Sequence, residues 1–435
     1  MSPLALATLA ILAMFILIAL HVPIGISMAV VGVVGYSLMA SSFDIGTSIL
    51  ASEAVRNLAN MDLAVVPLFI LMGNFAVAGG ISSDMYNIAH AFLGHRRGGL
   101  AMATVGGCGL FGAVCGSSVA TTATFGRIAL PEMVKRRYSP TLATGCIGGG
   151  GTLGSLVPPS VILVMYAVLA EQFIVELFAA AIVPAILTIL LYFLAIAIYV
   201  RIYPNAGPAT ERLPWAERFK VLGKSWIAVA LIAAIAFGIY GGIFTVTEAA
   251  SLGVILSFFF AIMKGQMTRM SFWDALVRTA SNSAMVYIIL FGSSVFNYFI
   301  VISHFPDTLA SGIIESGWSH FLIFLVLMVA YIILGSIFDT VGAMVITLPF
   351  VLPLIINMGY SPVWWGIVNV VVVEIGMITP PMGINIYMLH GIIEDYPLKT
   401  IFKGIIPFLL ADIARLTLIV LFPILSIWLP NILIR

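Results

Sequence analysis

Two apolar stretches, each long enough to cross a membrane, are interrupted by adjacent prolines and stand 222 residues apart. The first is TLGSLVPPSVI (152–162), preceded by GGGG at 148–151, and the second is EIGMITPPMGI (374–384). Glycine weakens a helix and proline removes a backbone donor, while lipid offers no partner for the freed polar groups. A chain that breaks spans this way has to line the breaks with its own atoms. The register extends beyond the prolines: Pro131, Tyr138, Ser139, Pro140, Gly154, Pro158 and Pro159 recur at the same offset (353 − 131) as Pro353, Tyr360, Ser361, Pro362, Gly376, Pro380 and Pro381. Clustered prolines, a tyrosine and a glycine in register read as an internal repeat.

Of 435 residues, 62% are hydrophobic and 9% charged, whereas a soluble domain carries about 25% charged residues. The chain is expected to be an all-α polytopic membrane protein embedded in the lipid bilayer. A net charge of +1 leaves no basic surface for nucleic acid. Residues 1–20 lack a basic leader and run straight into a second apolar run, so they read as a span rather than a cleavable signal. Cys108, Cys115 and Cys146 lie among glycines in apolar segments and read as packing residues.

Apolar runs lie near 3–20, 24–40, 63–80, 141–168, 177–200, 226–243, 248–263, 279–302, 363–390 and 405–429, lengths that suit a hydrocarbon core of about 30 Å. Basic residues at 95–97, 135–137, 201–224 and 264–278, with Lys399 and Lys403, mark the cytoplasmic side. Glu171, Glu176, Asp307 and Glu315 mark the other. Residues 98–134 have basic flanks at both ends and a polar middle, GSSVATTAT (116–124), which favours a re-entrant helical hairpin over two short spans. Its counterpart is 321–356. KRRYSP in the first copy is basic while NMGYSP in the second carries no charge, so the two copies are expected to face opposite sides.

The expected architecture is therefore two inverted-topology repeats, 1–200 and 226–435, joined by a cytoplasmic linker at 201–225, with both termini on the non-cytoplasmic, periplasmic side. Each repeat has about five transmembrane helices plus one hairpin (about 98–134 and 321–356) and one broken helix (about 141–168 and 363–390). Inverted repeats with discontinuous helices characterise secondary transporters, whose site lies at the midplane. The amphipathic stretches 81–98 and 304–320 read either as interfacial arms carrying the hairpins or as ordinary loop helices.

Broken helices expose N–H and C=O groups that attract anions and cations respectively. With hydroxyl ligands nearby, such carbonyls suit Na⁺. The candidates are Ser117, Ser118 and Thr121 at the first tip, facing Gly151, Thr152 and Gly154. In the second half they are Gly335, Asp339, Thr340 and Gly342, facing Gly376, Thr379 and Gly383. Against this stands the reading that small residues here only permit close helix packing. Of the intramembrane charges, Asp339 reads as a functional carboxylate, and Glu374 as either functional or the cap of a broken helix start. Arg127 reads as a snorkelling or structurally paired residue near the cytoplasmic interface, Glu248 as a helix start, and His390 as interfacial. Ser118, Asp339 and Asn385 are candidate substrate contacts; Pro158, Pro159, Pro380 and Pro381 are structural helix breaks.

GSSVATTATFGRIALPEM (116–133), GGGGTLGSLVPPSVILVMY (148–166) and EIGMITPPMGINIY (374–387) resemble the large membrane subunit of tripartite ATP-independent periplasmic (TRAP) transporters, the DctM-like permeases. The resemblance extends over essentially the whole chain. It implies a Na⁺-driven importer of organic acid anions in the bacterial inner membrane, working as an elevator. It also implies a small four-span DctQ-like membrane subunit and a DctP-like periplasmic binding protein as partners, Na⁺ as coupling ion and no organic cofactor. The family's sodium ligands would fall on 117–121, on GTLG (151–154), near Asp339 and on 378–380. Arg127 departs from the small residue common there, and VISHFP (301–306) lacks the basic residue of the sialic-acid branch, which argues against that substrate. The alternative is a stand-alone Na⁺-coupled anion symporter or exporter of related architecture. No H-E-x-x-H, G-x-S-x-G or paired catalytic aspartates appear, so no enzyme activity is expected, and two inverted hairpins suit alternating access better than a channel.

Overall fold

A computed structural model describes residues 2–393 and 396–433. The terminal residues 1 and 434–435, on whose side of the membrane the sequence bears, lie outside them. The helices are α1 (Pro3–Ala19), α2 (Ile24–Ala40), α3 (Phe43–Ala59), a 3₁₀ turn (Met61–Ala64) leading into α4 (Val65–Ala78), α5 (Ile81–Leu93), α6 (Gly99–Cys115) and α7 (Ser118–Lys135). Next come α8 (Pro140–Gly151), α9 (Leu153–Leu156), α10 (Val161–Leu169), α11 (Ile174–Ile202), α12 (Trp215–Lys224), α13 (Trp226–Tyr240), α14 (Val246–Met263) and α15 (Arg269–Ile302). The chain closes with α16 (Phe305–Glu315), α17 (His320–Ile337), α18 (Thr340–Asn357), α19 (Pro362–Met377), α20 (Ile384–Ile392), α21 (Leu398–Leu421) and α22 (Ile424–Leu433).

Among the described residues, seven helical segments are long and apolar enough to cross a membrane, or up to nine if each bent pair counts as one span. Both Pro-Pro stretches interrupt helices as expected. Helix α8–α9 meets α10 at a bend of 43°, and α19 stops at Met377, with α20 restarting at Ile384. Both Pro-Pro bonds, Pro158–Pro159 and Pro380–Pro381, are cis. The stretches 98–134 and 321–356 are each a pair of helices separated by two residues, α6/α7 and α17/α18. Each of α17 and α18 is by itself long and apolar enough to span.

Three boundaries differ from the hydropathy reading. Helix α15 begins at Arg269, ten residues before the apolar run at 279, because Thr268 caps it and Arg278 pairs with Asp274 one turn away at 2.9 Å on its solvated face. The run 405–429 is two helices, α21 and α22, divided near Pro423, which cannot continue a helix. Residues 43–59, too polar for a span, form helix α3.

Small residues set the seams between sequence-distant parts. Gly25 of α2 and Gly292 of α15 sit backbone to backbone, as do Gly145 of α8 and Gly404 of α21. Apolar side chains gain little by leaving lipid for protein, so helices in a membrane associate where glycine lets backbones approach. Tyr166 of α10 adds a long-range tie, donating to the Pro362 carbonyl at 2.7 Å. The cysteines are free and buried, with Cys108 packed on Gly150, in accord with their reading as packing residues.

Candidate ion and substrate site

The two-residue breaks of α6/α7 and α17/α18 each lie against a broken helix. In the first, Gly116 turns the chain in the left-handed region at φ 64° and Ser117 becomes the N-cap of α7, accepting from the Ala120 N–H at 3.4 Å. The Thr121 hydroxyl donates to the Ser117 carbonyl at 2.8 Å. The Ser118 N–H donates across to the Ser155 hydroxyl of α9 at 3.1 Å. Gly154 lies against the Ser117 carbonyl and Thr121 hydroxyl, and Gly151 against Thr122, so a Cβ on either glycine would collide with the tip. Thus Ser117, Ser118, Thr121, Gly151 and Gly154 come together as the sequence suggests. Thr152 faces the other way: its hydroxyl contacts the Gly149 carbonyl at 2.8 Å and the Tyr192 hydroxyl at 3.2 Å.

In the second half Asp339 caps α18, its Oδ1 accepting from the Gly342 N–H at 3.1 Å. A Cβ on Gly335 would lie 2.6 Å from the Val373 carbonyl oxygen, and one on Gly376 would lie 2.7 Å from the Gly335 backbone. This matches the first half, where a Cβ on Gly112 would lie 2.9 Å from the Leu153 carbonyl oxygen. The Gly383 N–H donates to the Ser336 carbonyl at 3.2 Å, joining the second break to its tip. The Thr379 hydroxyl donates back to Ile375 at 2.6 Å within its own segment. Close packing therefore accounts for Gly112, Gly154, Gly335 and Gly376 at these crossings, whatever else their carbonyls do.

Glu374 joins the two halves. It is 1% exposed, and its Oε1 accepts from the Thr340 hydroxyl at 2.8 Å. The Ser118 and Ser155 side chains face the same carboxyl, but its second oxygen, Oε2, has no hydrogen-bond partner. Helix α20 starts at Ile384 with Gly383 as its N-cap, so Glu374 caps no helix start and that reading is corrected. Asn385 is fully buried, and neither its amide nitrogen nor its oxygen has a partner. Arg127 is exposed on α7 and makes no ion pair among the described residues. Glu248 closes a capping box with Thr245 at the start of α14, as a helix start should.

One buried constellation has no counterpart in the sequence reading. Asp412 and Arg415, one turn apart on α21, are 0% and 1% exposed and pair at 2.9 Å. Tyr192 of α11 donates to Asp412 at 2.7 Å, and Arg415 donates to Thr188 at 2.7 Å. Through Tyr192 the network reaches Thr152 at the first broken helix. Its one local signal is opposite charges at i and i+3 inside an apolar run, D-I-A-R. A separate cavity of about 630 Å³ lies away from the tips, lined by Glu53, Arg56, Asn57, Glu171, Asn297 and Asp307.

Residues 11–425 match the family model described as "Tripartite ATP-independent periplasmic transporter, DctM component". The chain belongs to the DctM family. This DctM-family chain is 30% identical over 426 residues, 94% of its length and 96% of the relative's, to the C4-dicarboxylate TRAP transporter large permease protein DctM of Rhodobacter capsulatus. It is 29% identical over 433 residues, 98% of its length and all of the relative's, to the ectoine TRAP transporter large permease protein TeaC of Halomonas elongata. Its fold is similar to the crystal structure of the Alcanivorax borkumensis YdaH transporter, with a TM-score of 0.58 and 16% identity over 88% of each chain.

Proposed function

We propose that this chain is the membrane permease of a secondary transporter that imports an organic acid anion, a carboxylate, across the bacterial inner membrane on a Na⁺ gradient. The observation that carries the proposal is the pairing of two polar tips with two broken helices. Ser117 and Ser118 pack against α9, and Gly335 and Ser336 pack against α19 and the Gly383 turn. Such breaks put backbone dipoles and hydroxyls at the ion without burying a formal charge in lipid. The Na⁺ ligands of this proposal are the hydroxyls and carbonyls at 117–121, 151–154, 339–342 and 376–383. Asn385, buried with a free amide, contacts the substrate carboxylate. The Rhodobacter relative is named for a carboxylate solute, a C4-dicarboxylate.

In this reading the repeats 1–200 and 226–435 are inverted copies, the α6/α7 and α17/α18 pairs are re-entrant, and both move as an elevator against the remaining helices. Substrate arrives from a periplasmic binding protein, and a small four-span subunit completes the permease. The test is uptake into proteoliposomes under an imposed Na⁺ gradient, with and without candidate partner proteins. Uptake should require both the gradient and the partners. Uptake indifferent to Na⁺ overturns the coupling, and full-rate transport by this chain alone replaces the tripartite reading with a stand-alone symporter or exporter.

A further inference from the structure

We infer that Glu374 Oε2, with the Ser118 and Ser155 hydroxyls, forms a Na⁺ site that bridges the two halves of the chain, in addition to the sites at the individual tips. The inference deepens the proposed Na⁺ coupling and rests on it. Glu374 lies on α19 in the second half; Ser118 and Ser155 belong to α7 and α9 in the first. All three side chains are at most 3% exposed. The Thr340 hydroxyl occupies Oε1 and leaves Oε2 without a partner. Ser155 accepts from the Ser118 N–H, which holds its oxygen at the tip; α9 packs on α19 and brings both serines beside the carboxyl, whose Oε2 has no hydrogen-bond partner.

A carboxylate in an apolar interior is stable only when a cation or donor compensates it. No Lys, Arg or His pairs with Glu374 among the described residues. The buried guanidinium of Arg415 is held by Asp412. Three hard oxygens from three helices, one of them anionic, are what an alkali cation takes as ligands. A cation here would draw α9 and α19 together, so its binding would favour whichever arrangement brings Ser155 to Glu374.

The test is Na⁺-dependent thermal stabilisation of the purified full-length chain in detergent, titrating NaCl against choline chloride at constant ionic strength, with KCl as a second arm. For Glu374→Gln, which is nearly isosteric and still accepts from Thr340, the half-saturating Na⁺ concentration should rise at least tenfold and the titration should become less steep. Ser155→Ala should raise it at least threefold, and since serine carries no charge that rise cannot be a remote electrostatic effect. If either folded variant retains the wild-type half-saturation, the site is overturned and Glu374 is a core residue that binds no ion. Should Glu374→Gln fail to fold, Ser155→Ala decides alone. A wild-type chain that responds no differently to Na⁺ than to choline or K⁺ overturns this site and the Na⁺ coupling together, whereas a wild-type response preserved in the variants removes only the site.

Discussion

Asp412→Ala tests whether the buried charges on α21 hold α11 and α21 together. With Asp412 Oδ1 and Arg415 Nη2 2.9 Å apart, the pair attraction at an effective dielectric constant of ~20 is about 6 kcal/mol, most of it offset by desolvation of both groups. Removing one partner leaves a buried guanidinium with Thr188 as its only hydrogen-bond acceptor among the described residues, and breaking a buried pair in this way costs about 3–5 kcal/mol. The loss also leaves the Tyr192 hydroxyl, which donates to Asp412 at 2.7 Å, with only its 3.2 Å contact to the Thr152 hydroxyl among the described residues. The assay is the midpoint of unfolding in detergent followed by tryptophan fluorescence. Asp274→Ala, which breaks an exposed pair on α15, serves as the control and should cost about 0–1 kcal/mol. The double variant Asp412→Leu with Arg415→Met removes both charges and should recover most of the loss. The reasoning fails if Asp412→Ala costs no more than Asp274→Ala, or if the double variant is less stable than the single.

Two further predictions follow from packing and polarity. Gly404→Val should drive a side chain into the Thr141 carbonyl and the Gly145 backbone, costing about 1–3 kcal/mol or more of stability and lowering folded yield, whereas Gly312→Ala, inside α16 and meeting nothing within 4 Å, should cost nothing and add up to about 1 kcal/mol. Asn385→Leu removes a buried amide without partners, so stability in detergent should hold or rise by about 1–3 kcal/mol, while substrate uptake falls at least tenfold; wild-type uptake would show that Asn385 does not hold the substrate.

Much of the helical framework was legible in the chain itself because its causes are local. Apolar runs, Ser-Pro starts at 139–140 and 361–362, and the Gly- and Pro-rich breaks at 148–159 and 376–383 placed the interruptions of α8–α10 and α19–α20. The constant offset between the two copies also picked out both tips, because Ser117 and Asp339 each start a helix by capping it. The boundaries missed, at α3, α15 and α22, are those where polar residues continue a helix or a proline divides an apolar run, which hydropathy alone does not register.

What only the tertiary structure decided is how distant segments share buried polar atoms. Asp339 was the favoured carboxylate from its place at a tip, yet it caps its own helix, while Glu374 is the carboxyl lying between the halves. The Tyr192–Asp412 bond joins residues 220 apart in sequence, and Arg415–Thr188 joins residues 227 apart. The Gly145–Gly404 seam depends on two backbones meeting. Such pairings leave no periodic trace, because each partner's local sequence satisfies its own helix whether or not the other is present. The sequence by itself determined where this membrane chain breaks its helices and that it does so twice in the same register; the packing of those breaks around Glu374 depended on which helices meet, a property of side-chain volume and backbone approach over the whole fold.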